Sequence, residues 1–179
     1  MGGKISKFNH VRWFGKNHRR VIILGLQHSG KSTLTQVLTS EFERAAKPLP
    51  EIGCYKIKVD KLTLSLYDLK GDSQSKFFWR HHFEGSQGVV FVLDLTKPEE
   101  IEQAKTTLHE LLADELLKEL PFLVFANKSD KQEASEEQIK GMLEIREVEN
   151  CRAVVGSALH KQGVDTGISW LIDNMKPLV

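Results

Sequence analysis

The chain has 179 residues, of which 40% are hydrophobic and 27% are charged. This length fits one domain with a sizeable core, and the composition excludes disordered, collagen-like and coiled-coil proteins. The formal charge of +1 divides into +6 over residues 1–20 and −5 over the remaining 159 residues, which is not the composition of a nucleic-acid-binding domain.

The first 17 residues combine a lipidation pattern with an amphipathic one. Residues 1–6 fit M-G-x-x-x-[ST], in which Gly2 is the site of N-myristoylation. Apolar side chains recur near the helical period with basic ones between them: Ile5, Phe8, Val11 and Phe14, with Lys4, Lys7, Arg12 and Lys16. Such a helix suits an anionic membrane surface, although it could instead pack on the body of the protein. We therefore predict an arm over 1–17 and one domain over 18–179.

Hydrophobic patterning predicts the strands of this domain. The apolar runs 21–24, 89–93 and 122–125 are continuous, as in strands that are buried on both faces. Residues 54–60 and 62–68 alternate instead, which predicts a hairpin with a polar connection at Asp60 and Lys61. Apolar runs this short cannot cross a bilayer.

Helices are predicted between these strands. Residues 96–99 and 135–138 both fit a capping box, and the first has Pro98 in the opening turn. Residues 164–175 have the apolar spacing of a closing amphipathic helix. The alternation predicts an α/β fold, namely a three-layer sandwich with a six-stranded, mostly parallel sheet and one antiparallel edge strand.

Residues 25–32 fit the phosphate-binding pattern G-x-x-x-x-G-K-[ST] between a predicted strand and a predicted helix. The backbone N–H groups of such a loop face phosphate oxygens, Lys31 reaches the outer phosphates and the Ser32 hydroxyl binds Mg²⁺. The predicted nucleotide ligands here are Gly25, Gln27, His28, Ser29, Gly30, Lys31, Ser32 and Thr33.

The base is indicated by a second motif, because kinases, ATPases and GTPases share the phosphate loop. Residues 127–130 read N-K-x-D directly after a buried strand. The Asp130 carboxylate can accept the two hydrogens of the guanine N1–N2 edge, a pair that adenine does not offer. Asn127 and Lys128 are predicted to support the site, and Ser157, Ala158 and Leu159 to complete it, with the Ala158 N–H toward guanine O6. A P-loop kinase or ATPase remains the alternative.

Residues 68–71 form a D-x-x-G element between these two motifs. Asp68 ends a predicted strand and can hold Mg²⁺ through water, and the Gly71 N–H can contact a γ-phosphate.

The chain resembles the ADP-ribosylation-factor family, the Arf and Arf-like small GTPases, over almost its whole length. Four segments carry the resemblance besides the generic motifs: Gly25-Leu26, Pro50-Glu51-Ile52-Gly53, Trp79-Arg80-His81-His82-Phe83 and Phe125-Ala126-Asn127-Lys128. The resemblance implies GDP/GTP switching with Mg²⁺, and membrane attachment through a lipid and an amphipathic helix. It also implies exchange factors, GTPase-activating proteins and effectors that act on two switch segments, 45–53 and 69–86.

Three switch residues depart from this pattern. Glu51 stands where the family has a Thr that binds Mg²⁺ and the γ-phosphate; a Glu can also bind Mg²⁺, but it adds negative charge beside an anionic phosphate. Asp72 stands where the family has the catalytic Gln, and a shorter, charged side chain is expected to orient water poorly. Lys70 replaces a Gly, and it could partly neutralise Asp72 or Glu51. The family's aromatic effector patch is altered too, with Cys54, Tyr67 and His82 in place of Phe, Trp and Tyr.

These observations predict a monomeric Arf-like switch that acts at membranes in vesicle trafficking or membrane signalling, with weak GTP hydrolysis. We expect it to be cytoplasmic and peripheral on an intracellular membrane, such as a Golgi or endosomal one. The alternative is a non-catalytic adaptor that binds guanine nucleotide and is locked in one state. Nucleic acid is not an expected partner.

Overall fold

A central sheet follows directly from the apolar runs of the sequence. The computed structural model describes residues 17–44 and 53–176. Its strands are β1 (His18–Gly25), β2 (Glu43–Arg44), β3 (Cys54–Val59), β4 (Leu62–Asp68), β5 (Gly88–Asp94), β6 (Phe122–Asn127) and β7 (Cys151–Val155). Its α-helices are α1 (Lys31–Glu41), α2 (Ser73–Lys76), α3 (Ile101–Ala113), α4 (Glu136–Met142) and α5 (Val164–Asn174). One 3₁₀ turn spans Trp79–His82 and another, Pro98–Glu100, leads into α3.

The strand order is β2-β3-β4-β1-β5-β6-β7. The strands from β4 to β7 in this order pair in parallel, whereas β3 is antiparallel to β4. The predicted fold class, with six strands and one of them antiparallel, is therefore confirmed. The two-residue strand β2 adds a short pairing on the outer side of β3, and a segment of two residues has no sequence pattern that would predict it.

Helices cover both faces of the sheet. On one face, Leu34 and Leu38 of α1 and Ile168 and Leu171 of α5 belong to one buried cluster. On the other face, α3 contributes Ala104, Leu108 and Leu111, and α4 contributes Ile139, to a second cluster. Strand residues alternate between the two clusters, as Ile22 and Ile23 do in β1. This layering leaves the carboxyl ends of the parallel strands open at one edge of the sheet.

The two predicted capping boxes have different outcomes. The box at Ser135 is confirmed, since its hydroxyl accepts from the Gln138 backbone N–H while the Gln138 side chain accepts from the Ser135 N–H. The box at Thr96 is wrong. The Thr96 hydroxyl donates instead to Asp94 Oδ1 at 2.6 Å, and the turn that leads into α3 has no side-chain cap. Among the helices of the described residues, none is long and apolar enough to span a membrane.

Candidate functional site

Four strand ends bring the predicted site residues together. The phosphate loop follows β1, Asp68 ends β4, Asn127 ends β6 and Ser157 follows β7. Because these strands are parallel, their carboxyl ends lie along one edge of the sheet, where α/β proteins bind ligands. A cleft of about 650 Å³ opens at this edge between the phosphate loop and residues 68–72.

Lys31 lies under the phosphate loop and is buried. Its ammonium group donates to the Gly25 carbonyl at 3.1 Å and to the Leu26 carbonyl at 2.7 Å. Burial lowers the pKa of Lys31 to about 8, and the nearby Asp68 carboxylate opposes this shift. A charged ammonium in a poorly hydrated position is well suited to an anionic ligand, which would replace the hydration that the group has lost.

The loop has the backbone conformation that its glycines permit. Gly30 has a φ of +99°, and a Cβ at this position would overlap the Asn127 side-chain amide. His28 also has a positive φ, of 62°, and its side chain is exposed at the cleft. The loop therefore curls tightly against the end of β6 before α1 begins at Lys31.

Ser32 and Asp68 line the cleft and provide side-chain oxygen atoms as candidate metal ligands. Burial raises the pKa of Asp68, while a hydrogen bond with Ser32 and the charge of Lys31 act in the opposite direction. Mg²⁺ prefers oxygen ligands and commonly keeps several waters and substrate phosphates in its shell, so two protein oxygens suffice. The pair fits the predicted metal role, with the Ser32 hydroxyl as ligand and Asp68 acting through water.

Asn127 ties three parts of the site together, and it is 3% exposed. Its Nδ2 donates to the Ser29 carbonyl of the phosphate loop at 2.9 Å. Its Oδ1 accepts from the Ala158 backbone N–H, also at 2.9 Å. The sequence predicts that the Ala158 backbone N–H faces guanine O6. In this structure the group donates to the Asn127 side chain. Asn127 thus fixes the spacing between the phosphate loop and residues 157–159.

Lys128 follows with a φ of 68° and reaches back over the phosphate loop. Its ammonium group donates to the His28 carbonyl at 3.1 Å and to Asp94 Oδ2 at 2.5 Å. Burial alone would raise the pKa of Asp94, but hydrogen bonds from Lys128 and Thr96 outweigh it and lower the pKa. Asp94 was not predicted as a site residue, although an Asp at the end of a buried strand is a signal for one.

Asp130 is exposed and lies next to the loop that follows β7. Its Oδ1 accepts from the Ser157 hydroxyl at 2.6 Å, and this bond lowers the pKa of Asp130. The carboxylate is therefore ionised at neutral pH and oriented, as an acceptor for two ligand N–H groups must be. Leu159, in the same loop, has a side chain that is 67% exposed.

Asp72 has a role that the sequence interpretation did not include. It is the N-cap of α2, where its Oδ1 accepts from the Ser75 N–H at 2.9 Å and its Oδ2 accepts from the Ser75 hydroxyl at 2.7 Å. These bonds lower the pKa of Asp72. The signal was weak, because Asp is a preferred N-cap residue but Ser75 is not the Glu or Gln of a capping box.

Gly71 packs directly on the phosphate loop. A Cβ at this position would overlap the Gly25 carbonyl and meet the Lys31 ammonium group. Only glycine fits this close approach of two backbones. The contact of the Gly71 N–H with a γ-phosphate stays a prediction. Lys70, in contrast, is exposed, does not have a positive φ and forms no ion pair with another described residue, so the suggested pairing with Asp72 is not observed.

The altered effector patch forms one cluster beside the cleft. Cys54 pairs with Tyr67 across β3 and β4, and the rings of Tyr67 and His82 are 6.2 Å apart. The Arg20 guanidinium lies 4.0 Å from the centre of the Tyr67 ring and donates to the His82 carbonyl at 3.1 Å. Two other predicted site residues, Gly2 and Glu51, lie outside the described residues.

The chain is similar to known proteins along nearly its whole length. The family model described as "ADP-ribosylation factor family" matches residues 5–175. ADP-ribosylation factor-like protein 1 of Saccharomyces cerevisiae is 30% identical over 98% of both chains. ADP-ribosylation factor-like protein alp41 of Schizosaccharomyces pombe is 32% identical over 89% of this chain and 87% of its own.

A solved structure has the same fold. The Arl6 BBS3 small GTPase from Trypanosoma brucei, with the bound nucleotide analogue GppNp, matches with a TM-score of 0.73. The match covers 87% of this chain and 96% of that one, at 22% sequence identity.

Proposed function

Because this chain belongs to the ADP-ribosylation factor family of small GTPases, we propose that it is an Arf-like guanine-nucleotide switch with slow GTP hydrolysis that acts at a membrane. In this proposal the loop from Gly25 to Thr33 holds the phosphates, and Asp130 reads the guanine edge. Asn127, Lys128 and residues 157–159 form the walls of the base site. Ser32 and Asp68 hold Mg²⁺, which supplies charge neutralisation on the phosphates when bound.

The proposal of slow hydrolysis rests on the hydrogen bonds that Asp72 accepts. Both carboxylate oxygens accept hydrogen bonds from Ser75, so the side chain is directed to the first turn of α2. An ionised carboxylate is an acceptor only, and it would repel the γ-phosphate at the position where the family has a neutral amide. Asp72 therefore caps α2 at the position where the family has its catalytic Gln.

Membrane action rests on the sequence of the arm over 1–17. Gly2 is a candidate for N-myristoylation, and the basic, amphipathic residues that follow would add attraction to an anionic surface. We extend the proposal to trafficking or signalling at an intracellular membrane, with exchange factors, GTPase-activating proteins and effectors as partners. We also propose that the domain over 18–179 acts as a monomer.

A second function is favoured by the same Asp72 contacts. If the cap locks the switch segment in one arrangement, the protein would be a non-catalytic adaptor that binds guanine nucleotide without cycling. In that case, nucleotide would stabilise the fold but would never be converted.

Single-turnover hydrolysis separates these functions. The full chain would be loaded with γ-labelled GTP and Mg²⁺, and phosphate release would be followed for wild type and Asp72→Gln. The switch proposal expects a slow rate above the spontaneous rate, and an increase of about tenfold or more in Asp72→Gln. Loading without any release in both proteins would favour the adaptor. Failure to load GTP would reject both functions.

A further inference from the structure

We infer that Gln27 is the catalytic side chain that orients the attacking water in this protein. The inference rests on the proposed function, since it concerns the slow GTP hydrolysis of that same site. Gln27 was predicted only as a nucleotide ligand of the phosphate loop. Its position relative to Gly71 and Asp72 gives it the further role.

Two cavities meet at Gln27. The cleft of about 650 Å³ contains Gln27 together with Lys31, Ser32 and Asp68. A smaller cavity of about 210 Å³ lies between the phosphate loop and α2, and it contains Gln27 together with Ser73 and Lys76. Besides Gln27, both cavities are lined by Gly71 and Asp72. Gln27 therefore lines the same two cavities as Gly71 and Asp72, and Asp72 stands where the family has its catalytic Gln.

The neighbouring backbone fixes where a terminal phosphate would lie. Lys31 bonds to the carbonyl of Leu26, the residue directly before Gln27, and it also approaches Gly71 closely. Gly71 packs on the loop at this point, so a terminal phosphate would have to displace it. A phosphate that did so, and was then held by the Lys31 ammonium and the Gly71 N–H, would lie beside residue 27. The Gln27 side chain is exposed at the cleft, so it is free to reach a water on this phosphate.

The chemistry requires a neutral group with both a donor and an acceptor. A carboxamide oxygen accepts a hydrogen from the water, while its NH₂ donates to an anionic phosphate oxygen. The ionised Asp72 has no donor, and both of its oxygens are already occupied by Ser75. Gln27 has the missing pair of functions and carries no charge.

Other carboxamides of these cavities are less suitably placed. Gln36 lines the cleft but lies in α1, one turn beyond Ser32, and it does not reach the smaller cavity. Gln103 lines the smaller cavity from α3 but does not reach the cleft. Among the described residues, Gln27 is the carboxamide that lines both cavities.

The reaction balances without a further reagent. A lone pair of the water oxygen forms the new bond to the γ-phosphorus, and the bond from this phosphorus to the β,γ-bridging oxygen breaks. The electron pair of the broken bond leaves with GDP. A water proton passes to an oxygen of the released phosphate. Gln27 holds the water in line for this displacement and does not itself gain or lose a proton.

The test compares single-turnover hydrolysis with nucleotide affinity in the full chain. Gln27→Ala is expected to lower the hydrolysis rate about tenfold or more while the Kd for GTP changes less than about threefold. Gln27→Glu, which keeps the size but loses the donor, is expected to be as slow. The matched control Gln103→Ala removes the same side chain from the smaller cavity and is expected to keep the wild-type rate.

Each outcome decides the inference. Unchanged hydrolysis in Gln27→Ala, an equal loss in Gln103→Ala, or a wild-type rate no higher than the spontaneous one would overturn it. A weaker Kd in Gln27→Ala with an unchanged rate for bound GTP would show a binding role only. The proposed switch function fails differently: in that case wild type does not bind GTP, or neither wild type nor Asp72→Gln releases phosphate faster than the spontaneous rate. In an Asp72→Gln background, where a second amide is present, Gln27→Ala is expected to cost much less.

Discussion

The Asp72 carboxylate accepts two hydrogen bonds from Ser75, one from the backbone N–H at 2.9 Å and one from the hydroxyl at 2.7 Å. The pair closes the first turn of α2, a helix of only four residues with no buried side chain. Local capping therefore matters more here than packing does, because a helix this short is not stable by itself. The same carboxylate is thereby kept from acting on a ligand.

The first prediction concerns this cap. Asp72→Ala is expected to increase amide hydrogen exchange at Ser75 and Lys76, whereas Asp72→Asn, which retains an acceptor oxygen, is expected to protect them nearly as well as wild type. Exchange monitored by mass spectrometry over residues 72–78 would measure this. Equal exchange in wild type and Asp72→Ala would show that the cap does not hold α2.

The pH dependence of this cap has a definite sign. The pKa of Asp72 is lowered in the folded protein, so the cap is fully present above the ordinary pKa of an Asp, about 4, and is lost as the pH falls through the lower folded value. Protection of Ser75 is therefore expected to be constant from pH 8 to about pH 5. Loss of protection at about pH 6 would be inconsistent with this assignment.

The second prediction concerns Asn127, which bonds to both Ser29 and Ala158. Asn127→Ala leaves a buried carbonyl and a buried N–H without partners, and a cost of about 2–4 kcal/mol in the free energy of unfolding is expected. The neighbouring Ser129 is the matched control, because its buried hydroxyl has no hydrogen-bond partner among the described residues. Ser129→Ala is expected to change stability by less than about 0.5 kcal/mol in the same denaturant titration. Similar losses in both variants would contradict the bridging role of Asn127.

The third prediction concerns the ion pair between Lys128 and Asp94, whose carboxylate is 3% exposed. Lys128→Met keeps the apolar stem but leaves a buried charge, so about 2 kcal/mol of stability should be lost at pH 7. Adding Asp94→Asn removes that charge and should recover part of the loss. The pKa of Asp94 is lowered in the wild type, so the difference between wild type and Lys128→Met should shrink as the pH falls below about 4. A double variant less stable than Lys128→Met would refute this reading.

The fourth prediction uses the pKa of Lys31, which burial lowers to about 8. A bound phosphate stabilises the charged ammonium, so nucleotide binding at pH 8, where the phosphates are already ionised, should take up about half a proton. Calorimetric titration with GDP in two buffers of different ionisation enthalpy measures this uptake. Proton release at pH 8, or no difference between the buffers, would contradict the position assigned to Lys31.

Hydrophobic periodicity predicted much of this fold because burial decides it. The continuous apolar runs became β1, β5 and β6, and the alternating runs became β3 and β4. Capping was harder to predict, because one hydroxyl can serve several acceptors or donors. Ser135 caps α4 as its pattern indicates, whereas the Thr96 hydroxyl bonds to Asp94, a competing acceptor only two residues earlier in the chain.

The sequence predicts which residues belong to the candidate site, but it does not predict the hydrogen bonds between them. Sequence motifs place Asn127 and Ala158 near a nucleotide. They do not show that the Ala158 backbone N–H donates to the Asn127 side-chain oxygen. Comparison with the family presents Asp72 as a replacement for Gln, and the cap that it forms with Ser75 is a property of the folded chain. The role of Gln27 depends on which cavities it lines, a property of the folded chain alone.

The central claim, a guanine-nucleotide site built on residues 25–33 and 127–130, is tested most directly by the nucleotide that the protein retains. The full chain would be purified in Mg²⁺ buffer and denatured, and the released nucleotide would be identified and quantified by chromatography. Close to one GDP or GTP per chain is the predicted result. Adenine nucleotide in place of guanine, or an empty site that also fails to bind added GDP, would contradict the account.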